Sequence, residues 1–304
     1  MTGPGATTLV PAYRESMTGP LVDSPLVSTQ WLADHLGADD LVVLDATVLP
    51  PAEGRPGYRS GRGAYTESHI PSAVFADLID ELSEPDAPDP FTRRSGDDLA
   101  RAFGEIGIGN QTTVVVYDTL FGQWAARVWW LLRAAGHDRV AVLDGGLTKW
   151  TAENRPVEVG ALSLAPAVFT PAERPELWIS KDEVRAIVDG EAPGALVCGL
   201  PPREFSGAEG ARPRLGHIPG SLNVPVGRLL DRETNALKPA EELATTLGTS
   251  LAAERVVVYC HGGIAAAADA LALTVAGHRN VALYDGSLSE WSRDAEAPLV
   301  TATP

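Results

Sequence analysis

The chain has 304 residues, 44% of them hydrophobic, which suits roughly two domains with real cores. Its 24 Lys and Arg against 40 Asp and Glu give a net charge of −16, a surface that repels phosphate backbones and argues against nucleic-acid binding. With Cys198 and Cys260 as its only cysteines, it lacks the thiols for a disulfide framework or a Cys-ligated structural metal, and no apolar run reaches the roughly 18 residues of a membrane span.

In chain order, the first twenty residues lack a basic start and an apolar centre. They read as a loose tail rather than a secretory signal, with Met17 as an alternative start, and a reducing cytoplasm is the expected location. Ser28 then caps a helix over TQWLADHL, and the apolar run LVVLDA (41–46) predicts a strand. A His-Ile-Pro loop follows (69–74), then a strand TVVVYD (113–118) and a helix from about 122 to 135. The strand VAVLDGG (140–146) closes this series, and a stretch rich in Pro, Glu and Ala reads as a linker. A second series has the same order. Ser180 and Glu183 fit a capping box before KDEVRAIV, and GALVCG (194–199) is a strand. HIPGSL (217–222), RVVVYC (255–260), a helix over about 264–276 and VALYDGS (281–287) complete it.

The two series are copies. VAVLDGGLTKW (140–150) recurs as VALYDGSLSEW (281–291), VVVYD (114–118) as VVVYC (256–260), and HIPSAV as HIPGSL, at a nearly constant offset. The period is too long for a solenoid and implies a duplicated domain. Short all-apolar strands separated by helices predict an α/β fold, each copy a parallel sheet flanked by helices on both faces. The expected units are 22–155, a linker over 156–178, and 179–300.

In such sheets ligands bind beyond the carboxyl ends of the strands. Cys260 lies there, between a strand and a helix, followed by Gly262 and Gly263, which permit a tight turn with N–H groups turned inward. The helix start adds positive potential, so an anion at the Cys260 sulfur is expected to be stabilised. The matching position in the first copy is Asp118, which cannot act as a sulfur nucleophile, so the second copy is the expected catalytic one.

These motifs together resemble the tandem-domain rhodanese family, the thiosulfate and 3-mercaptopyruvate sulfurtransferases, over about residues 25–300. The carrying segments include SHIPSAVFADL, VVVYD, AARVWWLLRAAGH, GHIPGSLNVP, VVVYC and LYDGSLSEW. The resemblance implies two rhodanese-like domains and a six-residue active loop, here Cys260, His261, Gly262, Gly263, Ile264 and Ala265. It implies a double displacement through a Cys260 persulfide, with no metal or organic cofactor. The implied partners are a small anionic sulfur donor and a thiol, cyanide or protein sulfur acceptor, with neither nucleic acid nor membrane involved.

Departures from the family pattern narrow the reading. Thiosulfate-type loops resemble Cys-Arg-Lys-Gly and mercaptopyruvate-type loops Cys-Gly-Ser-Gly; this chain has His261 and Gly262 instead. His261 is a candidate cation or acid–base. Arg203, one place early relative to the family's Arg, and Arg212 and Arg214 before the second His-Ile-Pro loop are candidates for a donor carboxylate or sulfonate. Arg127 matches a family Arg near the domain interface. Cys198 falls where the family carries Asp and is a candidate second thiol, able to pair with Cys260 or to take its sulfur; otherwise it is a buried strand residue. Asp77 or Asp80 could stand for the family's auxiliary Asp, but Pro90 or Phe91 replaces its His. His69, His217, Trp150 and Trp291 occupy repeat-equivalent places and read as structural. The scarcity of loop cations favours 3-mercaptopyruvate over thiosulfate as donor. The alternatives are a sulfur-carrier or degenerate module and, weakly, a Cys-dependent phosphatase, which needs an Arg where the chain has Ala266.

Overall fold

A computed structural model describes residues 22–53 and 57–301. The tail up to Pro20, with Met17, lies outside the described residues. The strands are β1 (Leu26–Val27), β2 (Leu41–Asp45), β3 (Val48–Leu49), β4 (Arg59–Ser60), β5 (Val74–Phe75), β6 (Thr113–Tyr117), β7 (Val140–Leu143), β8 (Ala195–Cys198), β9 (Leu222–Asn223), β10 (Val256–Tyr259) and β11 (Val281–Leu283). The helices are α1 (Thr29–His35), α2 (Arg62–Glu67), α3 (Gly96–Glu105), α4 (Gln123–Ala134), α5 (Gly146–Ala152), α6 (Lys181–Val188), α7 (Pro202–Phe205), α8 (Ala240–Leu247), α9 (Ile264–Val275) and α10 (Ser287–Trp291).

The first sheet has the order β1-β7-β6-β2-β5, and the second β11-β10-β8-β9. Both are parallel throughout. An isolated parallel bridge from Trp178 to Leu283 occupies, in the second sheet, the place of β1 in the first. The central strands are uncharged Val-rich runs buried on both faces, as a parallel sheet requires. Val43, Val115 and Tyr117 face Leu32, Tyr65, Leu147 and Trp150. Val42, Leu44, Val114 and Val116 face the opposite way, into a core that includes α3 and α4 and runs on into α9 of the second copy.

The capping signals act as read. The Ser28 hydroxyl accepts from the Trp31 N–H, and the capping box of Ser180 and Glu183 is complete. The stretch after Trp150 is not a free tether. It returns along the first copy, with Glu158 paired to His69 through their backbones, and Ala172 and Arg174 donating to the Ala135 and Ala134 carbonyls. Among the described residues no helix is long and apolar enough to cross a membrane.

Candidate functional site

Cys260 directly follows β10 and is 3% exposed. Its N–H donates to the Ser287 hydroxyl at 3.1 Å, and that hydroxyl donates to the Tyr284 carbonyl at 2.7 Å. The Cys260 carbonyl accepts from the Leu288 N–H, and the His261 carbonyl accepts from both the N–H and the hydroxyl of Ser289. The loop is thus pinned from beneath by the turn after β11. Ser287 makes this pin at φ 47°, a left-handed conformation that side chains rarely adopt. Its counterpart in the first copy is Gly146, φ 56°, where an added Cβ would lie 2.4 Å from the Asp118 carbonyl oxygen.

Burial pushes the Cys260 thiol up from its ordinary pKa; the N–H groups of Ala266, Gly262 and Gly263, all turned toward the sulfur, pull it back down. Gly263, φ 80°, supplies the left-handed turn that starts α9. The first copy shows what such a ring of donors holds. One Asp118 oxygen accepts from the N–H groups of Leu120 and Gly122, the other from those of Trp124 and Ala125, at 2.8–3.0 Å. Burial raises the Asp118 carboxyl and these four donors oppose the rise. The same strand-loop-helix unit therefore holds an anionic side chain in one copy and a sulfur in the other.

Arg212 is the predicted arginine that the fold brings to Cys260's loop. It is 8% exposed, with one guanidinium nitrogen 3.5 Å from the His261 Nδ1 and 3.7 Å from Glu204. Another nitrogen reaches the Gly216 carbonyl at 3.4 Å, and Nε finds no partner among the described residues. A buried guanidinium with only long contacts has donors left for an anion. His261 stands at the loop rim, and desolvation, then the Arg212 cation, lower its pKa.

The other predicted residues lie elsewhere. Arg203 is exposed and pairs with Glu209. Arg214 spends its guanidinium on the Ser292, Ala295 and Ala297 carbonyls, clipping the segment after α10. Neither points its donors at the loop. Cys198 is fully buried opposite Tyr259 in the ladder, and burial raises its thiol to about 12. Residues paired across a ladder share a face and successive residues alternate, so Cys198 lies with Tyr259 while Cys260 turns toward α9. Both thiols are free and buried. Asp77 accepts from Ser60 and from the N–H groups of Ile79 and Asp80, a turn-capping task, and Asp80 is exposed. His69 and His217 each bond a carbonyl of the preceding helix and stack on an aromatic ring there.

The first copy also walls the site. Pro90 places its carbonyl oxygen 3.5 Å from where a Gly262 Cβ would stand. Phe91, Trp124 and the half-exposed Tyr58 form an aromatic cluster beside it. Burial, then the nearby Cys260 and Glu204 charges, raise the Tyr58 hydroxyl. Arg127 on α4 forms an ion pair with Asp285 at 2.6 Å and donates to the Phe91 carbonyl at 2.8 Å, behind Gly263. Tyr58 stands in no motif and carried no sequence signal; Ser287 stands in the repeat VALYDGSLSEW, where the sequence shows it only as a Ser in place of Gly146.

Comparison with known proteins identifies the family. The model of the rhodanese-like domain matches residues 28–153 and 180–294. The chain is 34% identical over 280 residues to the 3-mercaptopyruvate sulfurtransferase of Escherichia coli K12, covering 90% of this chain and 96% of that one. It is 34% identical over 285 residues to the thiosulfate sulfurtransferase of Rattus norvegicus, covering 89% and 92%. The crystal structure of SseA from Escherichia coli, described as a 3-mercaptopyruvate sulfotransferase, superposes with a TM-score of 0.77 at 31% identity over 87% of this chain and 98% of that one. A duplicated sheet, a cysteine in a cradle of N–H groups and relatives of this kind have one reading: the chain belongs to the rhodanese family and is a tandem-domain sulfurtransferase.

Proposed function

We propose that the protein moves sulfane sulfur from a small anionic donor to a thiophilic acceptor through a Cys260 persulfide. The observation that carries this is the Asp118 cradle: four N–H groups at the matching loop already hold an anion, and the Cys260 loop presents its own ring to the sulfur. In the first step the Cys260 thiolate attacks the donor's outer sulfur. With thiosulfate the S–S bond breaks and its electron pair leaves with sulfite. With 3-mercaptopyruvate the C–S bond breaks, and the carbon keeps the pair and takes the thiol proton to give pyruvate. In the second step a thiolate or cyanide attacks the sulfane sulfur and frees Cys260 as thiolate. The persulfide anion is held by the N–H groups of Gly262, Gly263 and Ala266.

Arg212 is the donor-binding cation in this reading, and His261, kept largely neutral at pH 7, hydrogen-bonds rather than charges the donor. With Arg203 and Arg214 engaged elsewhere, one guanidinium suits one carboxylate better than a dianion. A second cation in a semi-buried pocket is worth roughly 1–4 kcal/mol, so 3-mercaptopyruvate is the favoured donor.

The test is a donor screen by intact mass. Wild type gains one sulfur atom on Cys260 with 3-mercaptopyruvate and has a higher kcat/KM for it than for thiosulfate. Cys260→Ser gains none, and Arg212→Ala raises KM on the order of tenfold, the loss of about 1.4 kcal/mol of binding. Loading of neither donor overturns the persulfide reading; a clear thiosulfate preference overturns the choice of donor.

A further inference from the structure

Asp269 lies on the second turn of α9, directly behind the Cys260 loop, and is 0% exposed. Neither of its carboxyl oxygens has a hydrogen-bond partner among the described residues. A buried acid without a partner costs stability and needs a reason.

Its surroundings are built to admit it. A Cβ added to Gly199 would meet an Asp269 oxygen at 2.8 Å and the Ala265 Cβ at 3.1 Å. Helical side chains lean toward the helix start, so the carboxyl lies over the turn of Ala265 and Ala266, whose N–H at Ala266 faces the Cys260 sulfur. The first copy has none of this. Gly199 donates to the Tyr259 carbonyl as Ala46 donates to that of Tyr117, which makes Ala46 its counterpart. Val128, sixth residue of α4, is the counterpart of Asp269, sixth of α9. An Ala and Val in the apolar core of one copy are thus a Gly and Asp in the other, and only the copy with the cysteine has the carboxyl.

The ionisable groups on the elements around Asp269 are few. Cys198 ends β8, Tyr259 ends β10, and Cys260 follows it. Arg127 and Asp285 pair with each other, and the Tyr259 hydroxyl is engaged by Ser221 and the Ile218 N–H. Glu241 and Glu242 of α8 and Arg228 are exposed. Among the described residues no cation pairs with the carboxyl, and its negative charge raises the Cys260 thiol.

We propose that Asp269 is a positioning residue for the sulfur chemistry, sharing a single negative charge with Cys260 so that the thiolate forms when the carboxyl holds the proton. The exchange, Cys260 thiol with Asp269 carboxylate to Cys260 thiolate with Asp269 carboxylic acid, leaves the net charge of the buried site unchanged. This rests on Cys260 being the nucleophile, but its test needs neither donor nor acceptor.

The test is the rate of Cys260 alkylation by iodoacetamide between pH 5 and 10, located by peptide mass. Two variants accompany wild type: Asp269→Asn, and Asp269→Val with Gly199→Ala, which reproduces the first copy. In wild type the ionised Asp269 delays the thiolate, so alkylation rises late and in two steps. Both variants rise earlier, in one step, and near pH 8 react on the order of tenfold faster. Both melt no lower than wild type, because an unpartnered acid has left the core. Superimposable profiles, slower alkylation, or loss of folding in both variants overturns the proposal. Absence of alkylation at Cys260 in wild type at every pH counts instead against Cys260 as nucleophile, and the proposal falls with it.

Discussion

At the scale of single residues, the second copy holds several that spend stability around the sulfur, among them Ser287 in a left-handed conformation, Asp269 without a partner and Arg212 with only long contacts. The first copy has a buried carboxyl of its own, Asp45, next to its sheet centre. Burial is the first cause that pushes its carboxyl up to about 6; bonds from Thr47 and Tyr117 oppose it. A carboxyl whose folded pKa is raised contributes stability that is full below its unfolded value and lost as pH rises through the folded one. Asp45→Asn keeps an acceptor for the Thr47 N–H and cannot ionise. Its unfolding free energy in urea is expected to exceed that of wild type by about 1–3 kcal/mol at pH 8 and to match it near pH 4. An equal difference at both pH values would show that ionisation is not the cause.

At the scale of the element, the strand-loop-helix unit explains why one duplicated sequence carries two different centres. The loop of the first copy is one residue longer before its left-handed glycine, Gly122, yet the donors converge in the same way. Asp118 satisfies four of them from within the chain, so it is expected to act as a structural plug. Asp118→Ala leaves those N–H groups buried without acceptors, and the expected loss is about 2–4 kcal/mol in urea unfolding, against a smaller loss for Asp118→Asn. Equal losses would indicate that shape rather than hydrogen bonding matters there. The caps at Ser28 and Ser180 and the central Val-rich strands were legible because each signal is local. Two-residue strands such as β5 and β9, and the four-residue α7, had no period to read. They are set by what they pack against.

At the scale of the whole molecule, the copies are strapped together at two matching places. Asp144, after β7, accepts from the Leu237 N–H of the second copy, and Asp285, after β11, accepts from the Arg93 N–H of the first. The relation is broken at one point: α4 carries Arg127, fully buried against Asp285, where α9 carries the small Ala268. That pair and the two hydrogen bonds that Arg293 donates to Asp89 hold Pro90 and Phe91 against the Cys260 loop. Asp285→Ala strands a buried guanidinium, and a loss of about 3–5 kcal/mol is expected in thermal or urea unfolding. Adding Arg127→Met should restore most of it. If the double variant is no better than the single one, the pair is not the source of the loss.

The sequence by itself determined the duplication, the parallel sheets and the placing of Cys260 at a strand end before a helix. Hydrophobic runs, glycine turns and repeat register are properties of neighbours along the chain. Only the tertiary structure decided which arginine meets the loop, because Arg203, Arg212 and Arg214 are equivalent in composition and differ in the carbonyls and carboxylates the fold sets before them. It also decided that Cys198 faces away from α9, that Tyr58 and Phe91 wall the site from the other copy, and that Asp269 stands unpartnered behind the sulfur. Those are contacts between residues distant in sequence, and sheet pairing and helix packing alone bring them together.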